Sequence, residues 1–169
     1  MKKIKSILLI VILLFVITFG LYACVDNDYF ENRIPKNEYG AQVVSLKSSF
    51  RQEFLNINNI NARLGQIDNN LLYEKKTFVI SNDNEFDAIF EKDLDKIDYE
   101  KELLIIYVFA TVYASNTFYV ENITLNNNVL NIDLGMITRE GYNNATQPVR
   151  TLKIIKMKKV EFDNVLIND

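Results

Sequence analysis

LLIIYVFA, residues 103–110, is an unbroken apolar run in the second half of the chain. A strand with one wet face shows apolar residues only at every second position, so a run apolar on both sets reads as a central strand covered on both faces. That reading fixes the centre of a sheet, and the neighbouring segments are placed around it.

On the N-terminal side, Thr77-Phe78-Val79-Ile80 is β-branched and aromatic and predicts a short strand. Asn82 and Glu85 then form a capping-box pair, with acids in the first turn to meet the helix dipole. The spacing of Phe86, Ile89, Phe90 and Leu94 predicts a helix from about Asp83 to Asp93 whose apolar stripe packs on the sheet. On the C-terminal side, Thr117–Leu125 and Val129–Leu134 flank Asn126-Asn127-Asn128, a three-residue hairpin link built from residues that tolerate positive φ. Leu130, Ile132 and Leu134 alternate with Asn131 and Asp133, giving one dry face and one wet one. Val149–Met157 and Val160–Ile167 predict two further strands, and Tyr39–Leu46 an early one. Residues 47–70 stay open between two readings. Phe50, Phe54, Ile57 and Leu64 sit at helical intervals, whereas the asparagines at 56, 58, 59 and 61 suit turns. The sum is one α+β domain over residues 38–169, with a mostly antiparallel sheet and one main packed helix.

The other end of the chain reads as targeting. Met1-Lys2-Lys3-Ile4-Lys5 is a positive leader, and Ile7–Phe19 is apolar except for Thr18. Leu21-Tyr22-Ala23-Cys24 resembles a bacterial lipobox, with Leu and a small residue at the expected places and Tyr22 departing from the usual small or β-branched residue. Residues 1–23 are then a lipoprotein signal peptide and residues 24–37 a lipidated tether; the alternative is an uncleaved signal anchor, since the run to Val25 is long enough to span. Both readings put the domain outside the cytoplasm at the cell membrane, as the positive-inside rule requires. A multiply acylated Cys24 anchors the chain firmly, because each buried methylene adds about 0.8 kcal/mol. Cleavage leaves 146 residues and removes three lysines and no acid, so the formal charge moves from −3 to −6. An acidic domain repels phosphate backbones, which argues against nucleic acid as a partner.

Reactive side chains are few. The chain has no histidine, and its one cysteine is the lipidation candidate, so His-based triads, thiol catalysis and internal disulfides are excluded. No cofactor motif is present, and neither Asn82-Asp83-Asn84-Glu85 nor Asp26-Asn27-Asp28 has the glycine and distal glutamate of a calcium loop, so no metal site is assigned. Asp133 and Glu140, flanking the loop that begins at Gly135, are the one carboxylate pair that suggests hydrolysis of a glycan. More often such acids are ordinary surface groups. No catalytic residue is assigned.

From Phe78 onward the order of elements resembles the C-terminal domain of the PrcB-like protease-complex subunit family. The pieces are Phe78-Val79-Ile80, the helix through Phe86-Asp87-Ala88-Ile89-Phe90, Tyr99-Glu100-Lys101-Glu102 leading into Leu103–Phe109, the turn Ser115-Asn116-Thr117-Phe118, a hairpin, and the strand introduced by Pro148-Val149. Where the family carries Thr-Gly-Gly-Tyr, this chain has no glycine, so the turn differs in shape. The resemblance implies an accessory protein that stabilises a protease complex without catalysis of its own.

A long loop from Gly135 to Gln147 carries Met136, Ile137, Arg139 and Tyr142, and such loops and residue types favour interfaces. The expected interaction face is Tyr113, Phe118, Met136, Arg139 and Tyr142, with the opposing expectation that Phe118 and Met136 are core. The function expected is a protein-binding module on a membrane lipoprotein. The alternatives are a carboxylate-dependent glycan hydrolase and a loop-based protease inhibitor.

Overall fold

A computed structural model describes residues 37–92, 94–113, 116–137 and 147–169. The leader, the lipobox and nearly all of the tether lie outside the described residues. The compact unit that contains the domain spans Lys36–Asp169.

Three short helices and seven strands are found among the described residues: β1 (Gln42–Val44), α1 (Gln52–Ile57), α2 (Asn69–Tyr73), β2 (Lys76–Ile80), α3 (Asp83–Ile89), β3 (Glu102–Thr111), β4 (Thr117–Asn126), β5 (Val129–Ile137), β6 (Val149–Lys158) and β7 (Asn164–Asn168). They form two sheets, one ordered β1-β6-β3-β2 and the other β4-β5-β7. The fold is α+β and mostly antiparallel, the exception being the parallel pairing of β5 with β7.

β3 is central in its sheet and covered on both faces. Its even residues Leu104, Ile106 and Val108 pack with Phe54, Ile80, Phe86, Ile89, Phe90 and Ile154 on the helix side. Its odd residues Leu103 and Ile105 pack with Val120, Ile123, Leu130 and Ile132 of the second sheet, and Tyr107 and Phe109 with Phe118. The apolar run at 103–110 thus marks a strand held between two layers, because period-2 alternation sends each half of it to a different partner.

The second sheet faces the first through a change of phase. The register shifts between Val120 and Asn122, leaving Glu121 as a bulge. Phe118 and Val120 before it, and Ile123 and Leu125 after it, therefore face the same way despite their opposite parity. Across the hairpin Asn126 pairs with Val129. The link is thus two residues, Asn127 and Asn128 at φ +50° and +60°, one residue shorter than the sequence predicts. Positive φ at both positions matches the right-handed twist of the strands.

Other boundaries also depart from expectation: β1 covers only Gln42–Val44 of Tyr39–Leu46, and β7 begins at Asn164 and not at Val160. α3 ends at Ile89, Phe90 is its extended C-cap, and Leu94 is 55% exposed, off the packed stripe; Asp93 lies outside the described residues. β5 runs to Ile137, so Gly135 is a buried strand residue and the loop begins later than expected. β4 opens at Thr117 as the strand reading expects, so Thr117 and Phe118 do not belong to the turn that the family resemblance implies. At the start of α3, Asn82 Oδ1 accepts from Glu85 N at 3.0 Å, while Glu85 Oε2 accepts from Ser81 N at 2.6 Å, one residue before the cap itself. In residues 47–70 the helical reading holds only for one short helix, with Phe50 and Leu64 outside it and Ile57 exposed, while the turn reading holds for the asparagines beyond it. Phe54 sits in α1 and is buried, and Asn59 and Asn61 take positive φ in the turns that follow.

Candidate functional site

Four cations interrupt the apolar pattern of β6, and two of them, Arg150 and Lys153, are buried among its neighbours or line a cleft. Arg150 and Lys153 have opposite parity in one strand, so they cannot share a face. Arg150 turns to the helix side and is 1% exposed. Its Nε donates to Asn58 O at 2.6 Å, and its Nη1 to Leu71 O at 2.6 Å and Leu72 O at 2.8 Å. Nη1 also donates to Glu74 O, and the Glu74 carboxylate stands 4.0 Å from Nη2. Burial pulls this guanidinium below its ordinary pKa, and the charge of Glu74 offsets part of that. Arg150 thereby ties residues 58–74 onto the sheet.

Lys153 turns the other way, and its Nζ lies 4.7 Å from the ring centroid of Phe118. Burial lowers its pKa. It lines an open cleft of about 490 Å³ floored by Leu152–Ile154, with Val43–Leu46 and Ser48–Phe50 on one side and Asn116–Phe118 on the other. That volume falls within the range of ordinary binding clefts.

The outer wall is fixed by Asp95. Its carboxylate accepts from Lys47 N at 2.8 Å, Ser48 N at 2.9 Å and Ser48 Oγ at 2.6 Å, while Ser48 Oγ accepts from Leu94 N at 3.0 Å. Burial opposes ionisation of Asp95, but the donors from Lys47 and Ser48 outweigh it and hold its carboxyl below the usual range. Phe50 stands 4.5 Å from Phe90 and 5.6 Å from Phe54, centroid to centroid. The inner wall is held by Phe118, edge-on to Phe109 at 5.6 Å, and by Asn116, which donates from N to Tyr113 O at 2.9 Å. Asn116 Nδ2 lies 3.3 Å from Met136 Sδ, and its buried Oδ1 has no hydrogen-bond partner among the described residues.

The structure brings three of the five expected interface residues to this region. Phe118 and Met136 are cross-strand partners, and Tyr113 reaches them through Asn116. Phe118 is 9% exposed and belongs to the core, which corrects its placement on an open face; its position before the bulge turns it inward. Met136 and Tyr113 remain about one-third exposed, at 36% and 37%. Arg139 and Tyr142 lie outside the described residues, as does Glu140. Asp133 accepts from Asn122 Nδ2 at 3.1 Å and from Asn168 Nδ2 at 2.7 Å, so its carboxylate links β4 and β7 to β5.

Among the described residues lining the cleft Lys153 alone is ionisable, beside hydroxyls, an amide and apolar walls. Such a surface suits recognition. Among the described residues no cluster of three His, Cys, Asp or Glu is placed to hold a metal ion, and no helix is long and apolar enough to cross a membrane. The sequence reading overlooked Arg150, Lys153 and Asn116. The available signal was the opposite parity of Arg150 and Lys153 in β6, which requires at least one to leave a wet face. No family model, curated protein or solved structure matches the chain.

Proposed function

We propose that this protein is an extracytoplasmic lipoprotein, anchored through Cys24, whose α+β domain binds another protein as an accessory module. The partner proposed is a protease complex that the domain stabilises. The location rests on the positive leader and on Leu21-Tyr22-Ala23-Cys24. The single observation that carries the binding role is the cleft of about 490 Å³, whose walls are braced by Asp95 and by the Phe109–Phe118 contact while Met136 and Tyr113 stand half-open nearby. Braced walls around a recessed floor cost little to order on binding.

Two measurements test it. Labelled fatty acid should enter the wild-type chain and be absent from Cys24→Ser. Affinity capture of the detergent-solubilised full chain from its own membranes should return a defined protease, whose yield falls when the lipoprotein is removed. Capture of no protease, or protease yield unchanged by the removal, would sink the accessory role.

A further inference from the structure

β6 is paired on its outer side by two separate stretches of chain. β1 covers Ile154–Lys156, ending at the pair Val44↔Ile154. At the other end Arg150 N donates to Ala62 O at 2.8 Å and Asn61 N to Arg150 O at 2.8 Å. Backbone groups in a strand point alternately to its two sides. Arg150 points outward by these bonds, and Lys158 does so through its bond to Tyr39 O. No bulge interrupts β6 between them, so Leu152 also points its N–H and C=O outward. Among the described residues nothing pairs with it on that side. The break falls at the cleft floor, Leu152–Ile154.

We propose that this interruption is a docking slot for an extended peptide segment of a partner protein, which completes the edge of the sheet by pairing with Leu152. Arg150 to Ile154 spans about 13 Å at about 3.3 Å per residue, which is room for three or four residues. Main-chain bonds supply the affinity in such strand addition, and alternate side chains the selectivity. A side chain directed to the helix side meets Leu46, Phe50 and Ile154, which favours an apolar residue. Its neighbours point toward Asn116 and Lys153, which favours acidic or amide residues. The occupant is therefore a strand in which a branched apolar residue is flanked by acidic ones. A nucleic acid or lipid offers no such alternating backbone. The inference deepens the protein-binding reading by naming how the cleft is filled.

The test uses the full chain in detergent micelles and an acetylated hexapeptide of alternating Asp and Val, beside the same peptide with N-methylated backbone amides. Amide hydrogen exchange in the free protein should be at least tenfold faster at Leu152 than at Arg150 and Ile154. The plain peptide at millimolar concentration should slow Leu152 at least tenfold, and the N-methylated peptide should leave it unchanged. Leu152→Pro removes the outward N–H and leaves the ladder to β3 intact, and it should weaken the peptide at least tenfold. Should that variant fail to fold, the comparison of the two peptides decides alone. Protection of Leu152 in the free protein at every concentration means that the chain fills its own slot, and protection that grows with protein concentration means a second copy fills it; either overturns the proposal. So does equal action, or none, by the two peptides. These outcomes are separable from the accessory reading, since a protease captured from membranes with no peptide effect refutes only the slot.

Discussion

Arg150 donates to the main-chain carbonyl of Leu72 at 2.8 Å, across 78 residues of sequence, with both residues almost wholly buried. A single charged side chain thus replaces the packing that a segment as polar as 58–74 cannot supply. Arg150→Ala leaves the carbonyls of Asn58, Leu71, Leu72 and Glu74 without this donor and should cost about 3–5 kcal/mol, the scale for breaking a buried charged network. Arg150→Lys keeps the charge but not the fork, and should cost about half as much. Denaturant titration of both variants checks the order.

Asp95 governs the outer wall of the cleft. Its pKa is lower folded than unfolded, so the stability it contributes is present above the unfolded value of about 3.9 and is lost as pH falls through the lower folded value. Asp95→Asn should flatten the acid limb of the stability curve over that interval. It should also cost about 1–2 kcal/mol at neutral pH. An acid limb identical to wild type would refute the assignment.

Tyr107 carries the opposite sign. Burial, then the hydrogen bond to Asp169 at 2.9 Å, pushes its hydroxyl well above the ordinary value. The raised folded pKa means its contribution is complete below the unfolded value of about 10 and drains away as pH rises beyond it. The wild-type protein should lose stability above about pH 10 more steeply than Tyr107→Phe, as thermal melts across that range would show.

Gly135 and Tyr119 are cross-strand partners, and a Cβ on Gly135 would meet the Tyr119 ring at 2.3–2.7 Å. Gly135→Ala must push the ring aside and should cost about 1 kcal/mol, the loss of one cross-strand pairing. In a Tyr119→Ala background the same substitution should cost close to nothing. A double-mutant cycle with no coupling would contradict the ring's placement.

Much of the fold was legible because β3 announces itself by composition and Asn82 by its place before an apolar stripe. The asparagines at 58, 59 and 61 were equally readable as breakers: α1 stops with Asn58 as its C-cap, and Asn59 and Asn61 take positive φ in the turns beyond it. Less legible was anything set by a partner distant in sequence. Phe118 was open between an interaction face and the core, and local pattern could not decide, because its core-facing parity relative to Ile123 depends on the bulge at Glu121, which no local pattern marks. The cleft itself is an interruption in pairing between segments about 90 to 110 residues apart, which single-segment periodicity does not encode. Only the mismatch of Arg150 and Lys153 hinted that β6 was more than a surface strand.

The two-residue turn at Asn127 and Asn128 has a kinetic consequence. β3 must meet β6 with the whole β4–β5 hairpin intervening, as their end pair Thr111↔Val149 shows. Closing so long a segment is entropically slow unless something shortens it first. A prompt hairpin brings Thr117 beside Ile137 and reduces the search to its two open ends. Slowing that turn, for instance with Asn128→Ala, is expected to retard refolding while barely changing the unfolding rate. That two-residue bend would then set the tempo at which β3 finds β6.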